Sequence, residues 1–219
     1  MTHRKDELLK MRFELNMARI ATLVQLAHVN RAVHSKGFFE VEGAPAEVLR
    51  AAIVLLHATF EVAMRSYVPK GGRTLTFSGA VDLDKALKGS GLDPTPFKAL
   101  YPALVQMAKR RNLIAHQADL SNPMDTTPES WNISDEWQLT LWLMAVPAFY
   151  YKMRMALGIA DDDEKKRYDW NMTAMVNHRE FAHQLLDFPQ LPPERRIDAL
   201  KRIVSTLNRT VSILKGEVP

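Results

Sequence analysis

Apolar residues recur at helical spacing through most of the chain, and the breaks between the runs divide it into helices. From Lys5 to about Val33 the positions Leu8, Leu9, Phe13, Met17, Ile20, Val24 and Leu26 follow one another without an intervening Gly or Pro, which predicts one long first helix. Gly37 and the Glu42-Gly43-Ala44-Pro45 turn interrupt the pattern, with Pro45 placed where the first turn of a helix tolerates it. A second helix is expected to run to about Val68. It is apolar nearly all round between Ala51 and Met64, the signature of a central, buried helix, so its ionisable residues His57 and Glu61 need a reason to be there.

Pro69-Lys70-Gly71-Gly72 ends that helix, and the stretch to Gly91 reads as a connection with a short helix around Asp82 to Lys88. Asp93, Pro94 and Pro96 signal a new start. The pattern from Phe97 continues to about Gln117, with Pro102 expected to kink or restart it. After the turn-rich stretch Ser121 to Ser130, Ser134 is placed as an N-cap for a helix ending near Gly158, bent at Pro147. A fifth helix to about Leu186 and a sixth from Pro193 to Lys215 flank the Phe188 to Pro193 breaker. No strand pairs are evident. The expected architecture is an all-α, up-and-down helical bundle over residues 1–158 with a two-helix C-terminal extension, 159–219, packed on the same unit.

Composition narrows the setting. With 47% hydrophobic and 25% charged residues in 219, the chain can bury a core without staples, which excludes a disordered chain. The absence of cysteine removes disulfides, thiolate metal sites and cysteine nucleophiles, and fits a reducing compartment. The N-terminal residues lack the apolar core of a secretion signal, and no membrane span is evident, so a cytoplasmic address is expected. A net charge of +4 is compatible with a polyanionic partner but does not require one.

The candidate chemistry lies in the third long helix, where Lys109, Arg110, Arg111, Asn112 and His116 interrupt an apolar run. At about 100° per residue, Lys109, Asn112 and His116 fall within roughly 60° of one another, so an ammonium, an amide and an imidazole share one surface. Arg111 is about 140° from His116 on an ideal helix. Its side chain must reach round, the helix must loosen, or a second subunit must supply the arginine. These residue types suit phosphodiester chemistry. An imidazole exchanges protons near neutral pH, a guanidinium holds phosphate oxygens bidentately, and RNA brings its own 2′-hydroxyl nucleophile, so neither a metal nor a cofactor is called for.

The segment Arg111-Asn112-Leu113-Ile114-Ala115-His116 resembles the Arg-x4-6-His motif of HEPN domains, including the polar residue that commonly follows the arginine. The resemblance covers roughly Lys5 to Gly158. It implies a helical bundle with the motif late in a core helix, and a metal-independent ribonuclease acting as a homodimer, of the kind used in toxin–antitoxin or phage-defence systems. By this resemblance Arg111 contacts the scissile phosphate, His116 is the acid-base group and Asn112 orients one of them or the RNA backbone. Lys109 and Arg110 support RNA binding, and Arg110 is an out-of-register alternative to Arg111. The family's polar or acidic residue on an earlier core helix corresponds to Glu61, whose structural alternative is a carboxylate paired with His57 or Arg65. Some HEPN domains are non-catalytic modules that dimerise and bind RNA or a partner protein, which is the second reading. An antitoxin or other protein partner belongs to either.

The remaining ionisable clusters read as structural. Asp161-Asp162-Asp163-Glu164 before Lys165-Lys166-Arg167 is what a helix start favours. His178 and His183, five apart, share no helical face and lack a third ligand. His3, His28 and His34 are expected at the surface. The basic C-terminal helix alternates its charges with an apolar stripe, so only its outer face can meet RNA.

Overall fold

The computed structural model describes residues 3–34, 40–41, 44–68, 75–117, 131–187, 192, 194–202 and 205. Six α-helices are delimited among them: α1 (His3–His34), α2 (Ala44–Tyr67), α3 (Ala80–Gly89), α4 (Tyr101–Gln117), α5 (Ile133–Ala156) and α6 (Asp162–Asp187). A 3-10 turn, Thr95–Leu100, leads into α4, so Pro102 marks a restart in the first turn rather than a kink in one continuous helix. Residues 194–202 are helical. The predicted breakers at 69–72 and 121–130 and the end of the sixth predicted helix lie outside the described residues.

The long helices form where periodicity places them, and their ends follow local chemistry. At the start of α6 the Glu164 N–H donates to Asp161 Oδ1 (2.8 Å) and the Asp161 N–H donates to Glu164 Oε2 (3.0 Å), a reciprocal capping box. Gly158, at φ 71°, closes α5 with the Ile159 N–H on the Arg154 carbonyl and its own N–H on the Met155 carbonyl. That pair of bonds is a Schellman end, which the left-handed backbone of a glycine permits.

All six helices except the short α3 exceed three turns, and α2 is the central one, packed against α1, α4 and α5. It presents Ala52, Ile53, Leu56, Phe60 and Met64 to a core shared with Leu104 and Met107 of α4 and Val146 and Phe149 of α5. Aromatic contacts stiffen this centre: Phe149 lies 5.5 Å edge-on to Phe60 and 5.1 Å from Phe97, and Phe13 of α1 stacks on Tyr150 at 3.8 Å. Ala174 and Met175 of α6 enter the same core.

Three expectations are corrected. The inward stripe of α1 is Phe13, Met17, Ile20, Val24 and Ala27, whereas Leu8 and Leu26 are 59% and 52% exposed. Only a seven-residue stripe stays against α2 over so long a helix. The second helix is not apolar to its neighbours all round, since Leu55 and Val62 face outward. Finally, one strand pair does exist: Glu40–Val41 (β1) pairs antiparallel with Trp131–Asn132 (β2), with Val41 opposite Trp131. Two residues per strand are too few to produce a readable alternation.

A buried ionic cluster closes the end of the bundle away from β1 and β2. Arg154 of α5, 2% exposed, is hydrogen-bonded to Glu164 of α6, to Asp6 of α1 at 2.6 Å and to the Tyr67 hydroxyl of α2 at 2.6 Å. Lys10 of α1 joins Asp161 and Glu164. Four helices thus meet on one guanidinium, and removing a partner from such a buried set costs about 3–5 kcal/mol. Glu164 therefore belongs to the scaffold. No described helix is long and apolar enough to cross a membrane.

Candidate functional site

The polar element occupies the C-terminal half of α4, where the core-facing run Leu104, Met107 and Ala108 gives way to side chains that reach the surface. The rotation of about 100° per residue sends the three adjacent cations in different directions. Lys109 is exposed. Arg110, with its side chain 10% exposed, turns to α5, where its Nη2 lies 3.4 Å from Asp135 Oδ1. Arg111 turns to α2, where its Nη2 lies 3.6 Å from Glu61 Oε1. Arg110 is thus held away from Arg111, in contact with another helix.

Arg111 also donates from Nη1 to Asn112 Oδ1 at 2.9 Å. Asn112 is four residues before His116 and within about 40° of it on the helix surface. The amide therefore links the guanidinium to the His116 face, and Arg111 reaches part of the way round its own helix. His116 is exposed, in the last turn of α4. The arrangement offers a solvent-facing imidazole, an amide in between, and a guanidinium with its position fixed from two sides.

Glu61 is the hub on α2. Its Oε1 faces Arg111, its Oε2 lies 3.9 Å from Arg65 Nη2, and His57 Nδ1 is 3.8 Å away one turn back. Burial raises the Glu61 carboxyl above its ordinary range, while the charges of Arg111 and Arg65 pull it back down. Glu61 thus contacts both Arg111 and its own i+4 neighbour Arg65. Arg65 continues outward, donating to the Leu75 carbonyl at 3.2 Å and lying over the Phe77 ring.

His57 is 1% exposed, and neither ring nitrogen finds a hydrogen-bond partner among the described residues. Burial, reinforced by the positive charge of Arg111, pushes it down to about 4, so it is neutral at pH 7. It therefore does not form an ion pair with Glu61 under those conditions. This buried imidazole beside the hub carboxylate, like Arg65, is a member of the cluster to which sequence assigned no role beyond a pairing with Glu61.

The other histidines fall elsewhere. His178 Nε2 is 2.9 Å from the Trp137 carbonyl, tying α6 to α5. His28 lies 3.8 Å from Glu136, so it has a neighbour that its spacing did not reveal. The side chains of His3, His34 and His183 lie outside the described residues. Among the described residues no three His, Asp or Glu side chains converge as metal ligands. Comparison with models of known families, with curated proteins and with solved structures finds no match to this chain.

Proposed function

We propose that this chain is a metal-independent endoribonuclease of HEPN type. The observation that supports this reading best is the Arg111–Asn112 hydrogen bond beside exposed His116, with Arg111 anchored by Glu61. The RNA 2′-hydroxyl attacks the adjacent phosphorus, the bond to the 5′-oxygen breaks, and the products carry a 2′,3′-cyclic phosphate and a 5′-hydroxyl. One proton leaves the 2′-hydroxyl and one reaches the 5′-oxygen, a transfer suited to imidazole. Arg111 offsets the charge gathering on the phosphoryl oxygens, and Lys109 attracts the backbone. A homodimer, in which His116 of one copy works beside Arg111 of the other, completes the reading. A cytoplasmic setting, and a protein partner such as an antitoxin that restrains the activity, are part of it.

Purified protein incubated with total RNA in excess chelator is expected to leave 2′,3′-cyclic phosphate ends and to spare DNA of the same sequence. His116→Ala should abolish the cleavage with unchanged circular dichroism, because an exposed side chain carries little stability, within about 0.5 kcal/mol. Cleavage by His116→Ala protein, or cleavage of DNA, would sink the assignment.

A further inference from the structure

The seam between α1 and α2 opens into a groove of about 240 Å³. Arg12, Asn16 and Arg19 form its α1 wall, and Leu55, Ala58 and Val62 its α2 wall. Arg12, Asn16 and Arg19 are spaced i, i+4 and i+7, which lines them up over about 10 Å of helix. Both arginines are exposed, and neither has an ion-pair partner among the described residues. Leu55 and Val62 are 46% and 43% exposed, and a narrower cleft continues along the seam to Ser66. Leu55 is about 120° round α2 from Glu61, so the groove and the polar element occupy different faces of that helix.

We propose that this groove receives an acidic amphipathic helix from a partner protein. Its apolar wall and length match the helix-in-groove mode, in which anchors at i and i+7 enter a seam between two helices. The two arginines, unpaired among the described residues and one at each end, choose the charge of the guest: two carboxylates about two turns apart on it neutralise them. The alternatives fit less well. Small-molecule sites usually exceed about 300 Å³. No aromatic side chain lines the groove itself to stack a nucleobase, as single-stranded RNA requires, and Phe13 and Tyr150 in the narrower cleft beyond it are buried. A second copy docked by two-fold symmetry sets Arg12 and Arg19 against their own images, which repel.

The test is a phage-displayed library of amphipathic helices with randomised charges, selected on the full chain, followed by fluorescence anisotropy of a synthesised winner. Selected helices are expected to carry Asp or Glu seven residues apart flanking an apolar anchor. Their binding should weaken at least ~10-fold in the Arg12→Glu/Arg19→Glu double variant and in Leu55→Asp, and at 0.5 M salt. A peptide with Lys in place of its acids should bind the double variant in preference to the native chain. All of these positions are exposed, so circular dichroism is expected to stay unchanged. The proposal is overturned if no acidic helix is selected, or if binding ignores the double variant. It is equally overturned if Arg111→Ala rather than Arg12→Glu/Arg19→Glu abolishes binding, if an oligoribonucleotide competes for the groove, or if the chain self-associates through this face.

Discussion

Arg111 donates from Nη1 to Asn112 Oδ1 at 2.9 Å, while its Nη2 lies 3.6 Å from Glu61 Oε1, so one guanidinium is held between its own helical neighbour and a carboxylate on α2. The α2 carboxylate restrains one terminal nitrogen of the cation and the amide the other. A planar fork held at two points keeps its remaining N–H groups pre-oriented, which is worth more at a phosphate than a freely rotating charge.

On the proposed reading Asn112 is a positioning residue. Asn112→Ala removes the amide without touching Glu61 or His116, and is expected to lower kcat by about 10–100-fold while leaving stability nearly unchanged. Asn112→Gln should recover part of the loss. Single-turnover cleavage of a short oligoribonucleotide measures both, and a variant as fast as the native chain would remove Asn112 from the site.

Glu61 separates site from scaffold. Its carboxyl is raised by burial despite Arg111 and Arg65, so the ionised form favours the unfolded chain. The associated stability is full at low pH and is lost as pH rises through the folded pKa. Glu61→Gln lacks that penalty, and at pH 7 should be at least as stable as the native chain, within about 1 kcal/mol. It should nevertheless cleave more slowly, because Arg111 loses its charged anchor. Urea unfolding and cleavage rates on the same preparations check the pair, and a marked loss of stability would make Glu61 chiefly structural.

His57 makes stability sensitive to acid. Its folded pKa is pushed down to about 4 from 6.5, so between those values the unfolded chain binds the proton and the folded chain does not. Stability therefore falls as pH drops through that window, by roughly 3 kcal/mol once the drop is complete. His57→Phe removes the titration together with two unpartnered buried nitrogens, and should unfold at nearly the same urea concentration at pH 6.5 and pH 4.5 once other groups are subtracted against the native chain. Equal acid losses in the two proteins would show that His57 is not the cause.

Subunit mixing tests whether the cleaving unit is composite. If each site takes Arg111 from one copy and His116 from the other, mixing Arg111→Ala with His116→Ala protein gives half mixed dimers, each with one intact site of two, and about a quarter of native activity returns. Sedimentation at micromolar concentration should show the dimer. A monomer with full activity, or no recovery on mixing, would place the whole site within one chain.

Periodicity and local end signals by themselves determined the helices. The start of α6 was legible because acids ahead of Lys165-Lys166-Arg167 suit a helix N-terminus, where the structure adds the reciprocal bonds of Asp161 and Glu164, and the end of α5 because Gly158 readily adopts φ 71°. The segment from Arg111 to His116 was legible for the same reason, being contiguous. Tertiary packing decided the rest. Three successive cations could not be sorted from sequence: Lys109 went to solvent, Arg110 to Asp135 and Arg111 to Glu61, because the rotation of α4 is set by everything that packs against it. The same holds for Leu8, whose spacing suited the core but whose face of α1 lies outward, and for Arg154, a charge buried where Asp6, 148 residues away along the chain, joins the nearby Glu164. Caps and periodicity act between residues a few positions apart, whereas such pairings depend on how whole helices are rotated and crossed, which no short window of sequence contains.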